Sequence, residues 1–280
     1  MALQSLFRKK KFIITGELTP PRKPDISSFC KDAKNMAADA INITDMPGAR
    51  FAMSSLAGSI LVKQQKKEPI YQLTCRDRNS LALEGDLIAA AAFGITDVLA
   101  LTGDPPHIGD RPKAKAVYEF NSVGLVKLMA RVNREKKADF FIGCGLSHHF
   151  PNLSPEIEKT KQKLAAGCEF FQTQPIFEAS QIERFVDAYE KQNESIRRKI
   201  LAGVLTLHSR ELVSILRTLP GIVIPTAIEK RISSSKDLRE ESQLLAIELS
   251  DAAKEMGFAG VHLLTMGDHS LFNEIAGQIR

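Results

Sequence analysis

The sequence predicts a single eight-stranded (β/α)8 barrel, and two patterns in it favour this fold class. Short apolar segments typical of buried strands alternate along the chain with segments whose apolar residues recur at the period of a helix. Alternating strands and helices imply a parallel sheet with right-handed crossovers, and eight such units fit a chain of 280 residues. We therefore expect one α/β barrel domain that covers residues 1–280.

The predicted strands are spaced so that at least one helix fits between neighbours. They cover residues 12–18, 40–44, 70–75, 98–102, 140–146, 170–173, 200–205 and 261–265. The helical segments cover residues 25–37, 54–67, 80–94, 122–137, 154–167 and 180–192, with a further helical piece around residues 225–256. Ser154-Pro155 is typical of a helix start, and Gly94 and Gly167 are typical of helix ends.

A doubly wound open sheet is the alternative α/β architecture. Sheets of that kind that bind dinucleotides carry a G-x-G-x-x-G segment after the first strand, where this chain has Thr15-Gly16-Glu17. The sequence also contains no low-complexity segment or change of composition that would mark a linker. The first observation favours the barrel, and the second favours a single domain.

Composition argues against several classes of protein. The four cysteines stand far apart with no C-x-x-C pair, so we expect neither a zinc cluster nor disulfides. The net charge is +5, but the basic residues are scattered, and the chain has no Trp and three Tyr, so we expect no nucleic-acid partner. No apolar run is long enough to cross a bilayer and no secretory signal is recognisable, so we expect a cytoplasmic protein without membrane contact.

Function in a barrel lies at the C-terminal ends of the strands, and three of the predicted ends stand out. Glu17 ends the first strand in the segment "GELTPP", and Asp104 follows the fourth strand in "GDPP". Proline restricts its own backbone and that of the preceding residue, so each Pro-Pro pair limits the freedom of its acid. Gln174 lies near the end of the sixth strand in "QTQP", where its amide can both donate and accept hydrogen bonds.

Each of these residues also has a purely structural interpretation. An acid before a proline at a strand end is often a turn residue, and Gln174 can satisfy backbone groups at the barrel mouth. His148-His149 fits loop chemistry better than a metal pair, because no third ligand has suitable spacing, and we expect no metal. A Schiff-base aldolase is not favoured, because no lysine stands at a predicted strand end. The three features carry more weight together, because they fall on one predicted face.

The chain resembles the methylenetetrahydrofolate reductases in five segments, which occur in the order "GELTPP", "NITDMPGARFAMSSLA", "LTCRDRN", "LTGDPP" and "FFQTQPIF". The resemblance covers residues 10–275. It implies a (β/α)8 barrel with a flavin, FAD or alternatively FMN, at the C-terminal face of the strands. It also implies an oxidoreductase of one-carbon metabolism and methionine biosynthesis, in which reduced flavin gives a hydride to methylenetetrahydrofolate and methyltetrahydrofolate is formed.

The resemblance further implies roles for individual residues. Glu17 matches the family's general acid, which protonates the nitrogen that leaves when the substrate ring opens. Asp104 matches a carboxylate beside the flavin, where it stabilises the cationic one-carbon unit, and Gln174 matches a glutamine that hydrogen-bonds the folate. The other flavin contacts implied are Thr102, Gly103, Tyr118, a phosphate contact at Lys163 and a ribityl or ribose contact at Glu156.

Two departures from the family pattern affect the electron donor. Gln72 stands where well-studied bacterial members have a histidine, and Arg210 stands where they have an aromatic that contacts substrate or nicotinamide. The donor is therefore open between NAD(P)H, a deazaflavin and a partner subunit. The alternatives to this function are the same reduction on methylenetetrahydromethanopterin, a non-catalytic flavoprotein subunit, and a flavin-free barrel for phosphorylated sugars. We expect a homo-oligomer or a subunit of a complex.

Overall fold

The computed structural model describes residues 2–216 and 222–280, and eight parallel strands in it close into a barrel in sequential order. The predicted fold class is therefore confirmed. The strands are β1 Ile13–Leu18, β2 Ala40–Ile43, β3 Pro69–Thr74, β4 Asp97–Leu101, β5 Phe141–Leu146, β6 Phe170–Ile176, β7 Ile200–Leu205 and β8 Gly260–Leu264. β1 pairs with β8, and this pairing closes the sheet.

Helices cover the outside of the barrel and its N-terminal end. They are α1 Leu3–Arg8, α2 Ser27–Asn35, α3 Ser55–Gln64, α4 Ser80–Ala92, α5 Ser122–Arg134, α6 Ser154–Ala166, α7 Ala179–Glu190, α8 Arg210–Leu216, α9 Thr226–Ser234, α10 Leu238–Glu255 and α11 His269–Ile279. The further helical piece predicted around residues 225–256 corresponds to α9 and α10. Within the described residues, no helix combines the length and the apolar character needed to cross a membrane.

The sequence did not predict α1, which closes the N-terminal end of the barrel. Leu3 and Leu6 belong to an apolar cluster with one inward residue from each strand region, and the Leu3 amide donates to the Asp97 carboxylate at 3.2 Å. Phe170 fills the centre of this layer, and a Cβ on Gly143 would approach its ring to 2.2 Å, so only glycine fits there. The lower half of the barrel is therefore a packed apolar core.

The upper half of the barrel interior is polar. Inward positions of a (β/α)8 barrel are usually filled by branched apolar side chains. Here five polar side chains are almost completely buried on the inner faces of the strands. They are Thr15, Asn42, Gln72, Gln172 and His262. Buried polar groups need hydrogen-bond partners, so this layer is expected to form a network below the mouth.

Candidate active site

Glu17 lies at the mouth of the barrel, at the C-terminal end of β1. Its side chain is 27% exposed, and its Oε2 atom lies 3.8 Å from Nε2 of the buried His262 on β8. The carboxyl borders an open cavity of about 420 Å³ between the loops after β1 and β8 and helix α2. Glu17 is therefore open to a ligand on one side and faces an imidazole on the other.

Asp104 joins two loops of the mouth. Its Oδ2 atom accepts a hydrogen bond from the Gly48 amide at 2.8 Å, and Gly48 lies in the short 3₁₀ turn Pro47–Ala49 after β2. The Asp104 side chain is otherwise exposed. The carboxylate thus serves as a turn acceptor and keeps a free edge toward solvent.

Gly103 and Tyr118 hold the loop after β4 against β3. Gly103 has φ +90°, and a Cβ there would lie 3.0 Å from the Cβ atoms of Thr74 and Arg76. The Tyr118 hydroxyl donates to the Gly103 carbonyl at 3.1 Å, and its amide donates to the Cys75 carbonyl at 3.2 Å. Burial raises the pKa of the Tyr118 phenol, so the hydroxyl stays a donor.

Thr102 connects the same loop to α5. Its Oγ1 atom accepts a hydrogen bond from the Ser122 amide at 3.2 Å, at the first turn of that helix. A hydroxyl that accepts one bond can still donate its own proton. Thr102, Gly103, Asp104 and Tyr118 therefore lie together on one side of the mouth.

Glu156 and Lys163 form a separate buried pair on α6. The Lys163 Nζ atom lies 2.7 Å from the Gly145 carbonyl at the end of β5 and 3.5 Å from Glu156 Oε1. Glu156 Oε1 also accepts from the Ser147 amide at 3.2 Å. Both side chains are almost fully buried, so the structure places them behind the end of β5 and not on its open side.

Gln174 lies across the mouth from Glu17 in the barrel order, at the end of β6. Its side chain is exposed and forms no hydrogen bond with residues 2–216 or 222–280, while its carbonyl accepts from His148 Nε2 at 3.1 Å. Burial lowers the pKa of His148 to about 4, with smaller effects of His149 and Arg184, so its ring is neutral at pH 7. The proton of that neutral ring is on Nε2, and the buried Nδ1 has no partner in the described residues.

A second network beside the mouth shows what the segment "CRDRN" does. Arg78 contacts Asp45 at 2.8 Å and Asp86 at 2.9 Å, and Asp45 also accepts from the Thr74 amide at 3.0 Å. Arg76 is bound to its neighbour Asp77 at 2.7 Å. The two arginines therefore brace the loops after β2 and β3 and are not directed at open space.

His262 and Asn42 are the residues that sequence reasoning missed. The sequence places Thr265 at the end of the last strand, whereas the side chain that faces Glu17 lies three residues earlier, on the inner face of β8. The signal was a histidine inside a strand otherwise made of apolar residues and glycine. Its meaning depends on β1 and β8 being neighbours, which only the closed barrel provides.

The end of β5 offers space and unpartnered polar atoms for the flavin that the resemblance implies. Gly145 is half-exposed at the inner end of β5, and an added Cβ would meet only Leu101 Cδ2, at 3.4 Å, so bare backbone faces a free space. The buried amide nitrogen of Gln172 and the Nδ1 atoms of His148 and His149 have no partners within the described chain. A heterocycle with both donors and acceptors on its edge suits such a surface.

Comparison with known proteins identifies relatives along almost the whole chain. The sequence profile described as methylenetetrahydrofolate reductase matches residues 2–280. The chain is 24% identical to "Methylenetetrahydrofolate reductase 2" of Schizosaccharomyces pombe, over 72% of this chain and 33% of that protein. It is 26% identical to "Probable methylenetetrahydrofolate reductase (NADPH)" of Caenorhabditis elegans, over 89% of this chain and 37% of that protein. The chain thus spans well under half the length of these two relatives.

Solved structures share the fold. An uncharacterized protein from Clostridium thermocellum, described as binding two copies of 5-methyl-5,6,7,8-tetrahydrofolic acid, superposes with a TM-score of 0.70 at 17% identity, over 98% of this chain and 99% of that one. An oxaloacetate acetylhydrolase superposes with a TM-score of 0.56 at 10% identity, over 96% of this chain and 80% of that one. At such identities the likeness supports the barrel alone.

Proposed function

Because the chain belongs to the methylenetetrahydrofolate reductase family, we propose that it reduces the methylene group of methylenetetrahydrofolate to a methyl group with a bound flavin, FAD or alternatively FMN. The supporting observation is the placement of two side chains at one barrel mouth. Glu17 lies partly exposed at the C-terminal end of β1, and Gln174 lies exposed near the C-terminal end of β6, where its amide has no partner among the described residues.

Glu17 acts as the general acid in this proposal. The methylene carbon of the substrate is bonded to two nitrogens, and one carbon–nitrogen bond must break before a hydride can add. The O–H bond of Glu17 breaks as an N–H bond forms on the leaving nitrogen, which leaves a carboxylate on the enzyme and a cationic one-carbon unit on the substrate. The bound reduced flavin supplies the hydride.

Asp104 and Gln174 position and stabilise the substrate. The Asp104 carboxylate, held by the Gly48 amide at 2.8 Å, presents negative charge to the cationic one-carbon unit without having to reorganise. The Gln174 amide donates to and accepts from the edge of the pterin ring, and binding the substrate satisfies both of its groups. Both residues therefore serve the folate half-reaction.

Thr102, Gly103 and Tyr118 form one side of the proposed flavin contact, and Gly145 provides open backbone on another. Lys163 and Glu156 are the proposed contacts to the phosphate and to the ribityl or ribose part. That role requires the Lys163 ammonium to turn from the Gly145 carbonyl, which it now contacts at 2.7 Å, toward the cofactor anion.

Two measurements on the purified protein test this function. Its absorbance spectrum should show flavin bands at about one flavin per chain, and the chemically reduced protein should reoxidise when it is mixed anaerobically with methylenetetrahydrofolate. Mixing the oxidised protein with NADH or NADPH tests the donor, and a parallel experiment with methylenetetrahydromethanopterin tests the carrier. A protein that binds no flavin, or whose reduced flavin reacts with neither carrier, would contradict the proposal.

A further inference from the structure

His262 connects Glu17 to the polar network inside the barrel. The residue is 3% exposed. Its Nδ1 atom lies 3.0 Å from Thr15 Oγ1 and 3.3 Å from Asn42 Nδ2, and its Nε2 atom lies 3.8 Å from Glu17 Oε2. The two ring nitrogens thus face different groups, and the position of the ring proton decides which of them donates.

The orientation of Asn42 fixes that proton. The Asn42 atom at 3.4 Å from the Gly16 carbonyl must be its nitrogen, because a carbonyl oxygen only accepts hydrogen bonds. The other amide atom, Oδ1, accepts from Gln72 Nε2 at 3.3 Å. The same Asn42 nitrogen lies 3.3 Å from His262 Nδ1. The Thr15 hydroxyl lies 3.0 Å from Nδ1 and 3.3 Å from the Val261 carbonyl, and it donates to the nearer atom when Nδ1 is unprotonated. Both contacts are satisfied with Nδ1 as the acceptor and the ring proton on Nε2. The N–H of that ring therefore points toward Glu17.

We propose that His262 is a positioning residue for Glu17. Hydrogen bonds from the Gln72 amide to Asn42 and from Asn42 to Nδ1 hold the ring as the Nε2–H tautomer. The proposal rests on the proposed function, in which Glu17 gives its proton to the substrate nitrogen. The proton of His262 stays on the imidazole throughout. When Glu17 becomes a carboxylate, the Nε2–H group donates a charge-assisted hydrogen bond to it and stabilises the product of the proton transfer.

The 3.8 Å separation is longer than a hydrogen bond, so the partly exposed Glu17 side chain must approach the ring by roughly 1 Å. Catalytic hydrogen bonds are often long without substrate and shorten in the reacting complex. The buried ring has a second possible role, in which it only fills the barrel interior and satisfies Asn42 and Thr15. The two roles predict different results in a double-mutant cycle.

The first experiment measures reoxidation of the pre-reduced enzyme by methylenetetrahydrofolate in four proteins: the parent, His262→Phe, Glu17→Gln and the double variant. Loss of a general acid slows a reaction by about 10²- to 10⁴-fold. We expect His262→Phe to slow reoxidation by less than this. We expect the same substitution to add nothing in the Glu17→Gln background, because His262 acts through Glu17. His262→Gln, which keeps an N–H donor on a side chain of similar reach, should recover most of the rate.

The outcomes distinguish the proposed mechanism from the positioning role of His262. Glu17→Gln at the parent rate would refute Glu17 as the acid and hence the proposed mechanism. A slow Glu17→Gln enzyme combined with equal slowing by His262→Phe in both backgrounds would refute the positioning role alone and leave the mechanism standing. Equal rates for His262→Gln and His262→Phe would also refute it, because the donor would then have no effect.

A second measurement does not depend on activity. Nitrogen-15 NMR of histidine-labelled parent enzyme distinguishes a protonated ring nitrogen from an unprotonated one, and loss of a signal pair in His262→Gln assigns the residue. We expect Nε2 of His262 to carry the proton and Nδ1 to accept. A ring protonated on Nδ1 would overturn the proposal, since Nε2 would then have no hydrogen to give to Glu17.

Discussion

The Asp104 carboxylate accepts a hydrogen bond from the Gly48 amide, at 2.8 Å, across 56 positions of the sequence. This bond joins the loop after β4 to the turn after β2, so Asp104 is a turn acceptor as well as a candidate catalytic carboxylate. The two interpretations that the sequence leaves open for an acid before Pro-Pro are therefore compatible, because one oxygen binds Gly48 while the rest of the carboxylate stays exposed. Substitutions can separate them.

Asp104→Asn should keep the turn and remove the charge. The amide oxygen can still accept from Gly48, so we expect unchanged thermal stability and flavin content. Reoxidation by the methylene carrier should slow, and the flavin midpoint potential should rise, because a negative charge is lost beside the site. Asp104→Ala is the matched control, since it should lose the turn bond too. An unchanged potential and rate in Asp104→Asn would leave Asp104 with the turn role only.

Glu17→Gln should separate the two half-reactions. Flavin binding and reduction by the donor need no proton at this position, so both should match the parent enzyme. The folate half-reaction should slow by about 10²- to 10⁴-fold. Stopped-flow absorbance at the flavin band measures each half-reaction alone, and equal effects on both would point to a structural role for Glu17.

Gly103→Ala and Gly145→Ala should differ in a way that tests the flavin surface. Gly103 has φ +90° and a crowded Cβ position, so alanine there should reduce stability by about 1–3 kcal/mol. Gly145 has an uncrowded Cβ position, so alanine should leave the melting temperature near that of the parent. We expect Gly145→Ala to weaken flavin binding nevertheless, because the methyl group occupies the free space. Unchanged flavin affinity, measured by reconstitution of the apoprotein, would show that the flavin does not contact β5.

His148 should make the fold sensitive to acid. Burial lowers its pKa to about 4 from the ordinary 6.5, so the unfolded chain binds more protons at this residue between those two pH values. Stability should therefore fall as pH drops through that window, by at most about 3 kcal/mol from this group. His148→Gln should flatten the dependence in urea titrations at pH 4.5 and pH 7, whereas the exposed His107→Gln should not. Parallel curves for parent and His148→Gln would contradict the assignment.

The buried Asp97 should make the fold less stable as pH rises, opposite to the effect of His148. Burial, with a contribution from Glu68, raises its pKa to about 7 from 3.8, so the folded state binds more protons between those values. Its contribution to stability is greatest below pH 3.8 and is lost as pH rises to about 7. Asp97→Asn keeps an acceptor for the Leu3 amide without the buried charge, so it should stabilise the protein at pH 8 by up to about 4 kcal/mol. A less stable Asp97→Asn at pH 8 would show that the charge is needed there.

The sequence was sufficient for the barrel because its strands are strongly apolar and regularly spaced. The sequence predicted less accurately the elements that are short or that contain a proline. β6 continues to Ile176, past the predicted end at Thr173, because a register shift between Gln172 and Pro175 lets the strand pass the proline. Helices α1 and α8 have only six and seven residues, too few for a helical period to be recognised.

The sequence predicts candidate site residues where a motif and a strand end coincide, as at Glu17, Asp104 and Gln174, and the structure places these three near strand ends. The site was not predictable where function depends on long-range neighbours. The contact of His262 with Glu17 follows from the closure of β1 against β8, and the burial of Lys163 against the Gly145 carbonyl follows from how α6 packs on β5. Neither relation leaves a local pattern in the sequence.

The closure of β1 against β8 also has a consequence for protein synthesis. Thr15 and His262 touch although 247 positions separate them, so a ribosome adding about 5–20 residues per second needs roughly 10–50 s to make the second after the first. During that interval β1 has one free edge, and unpaired strand edges promote aggregation. The contact between Glu17 and His262 therefore cannot form until β8 has been synthesised. We expect chaperones that bind nascent chains to stay bound longest at β1.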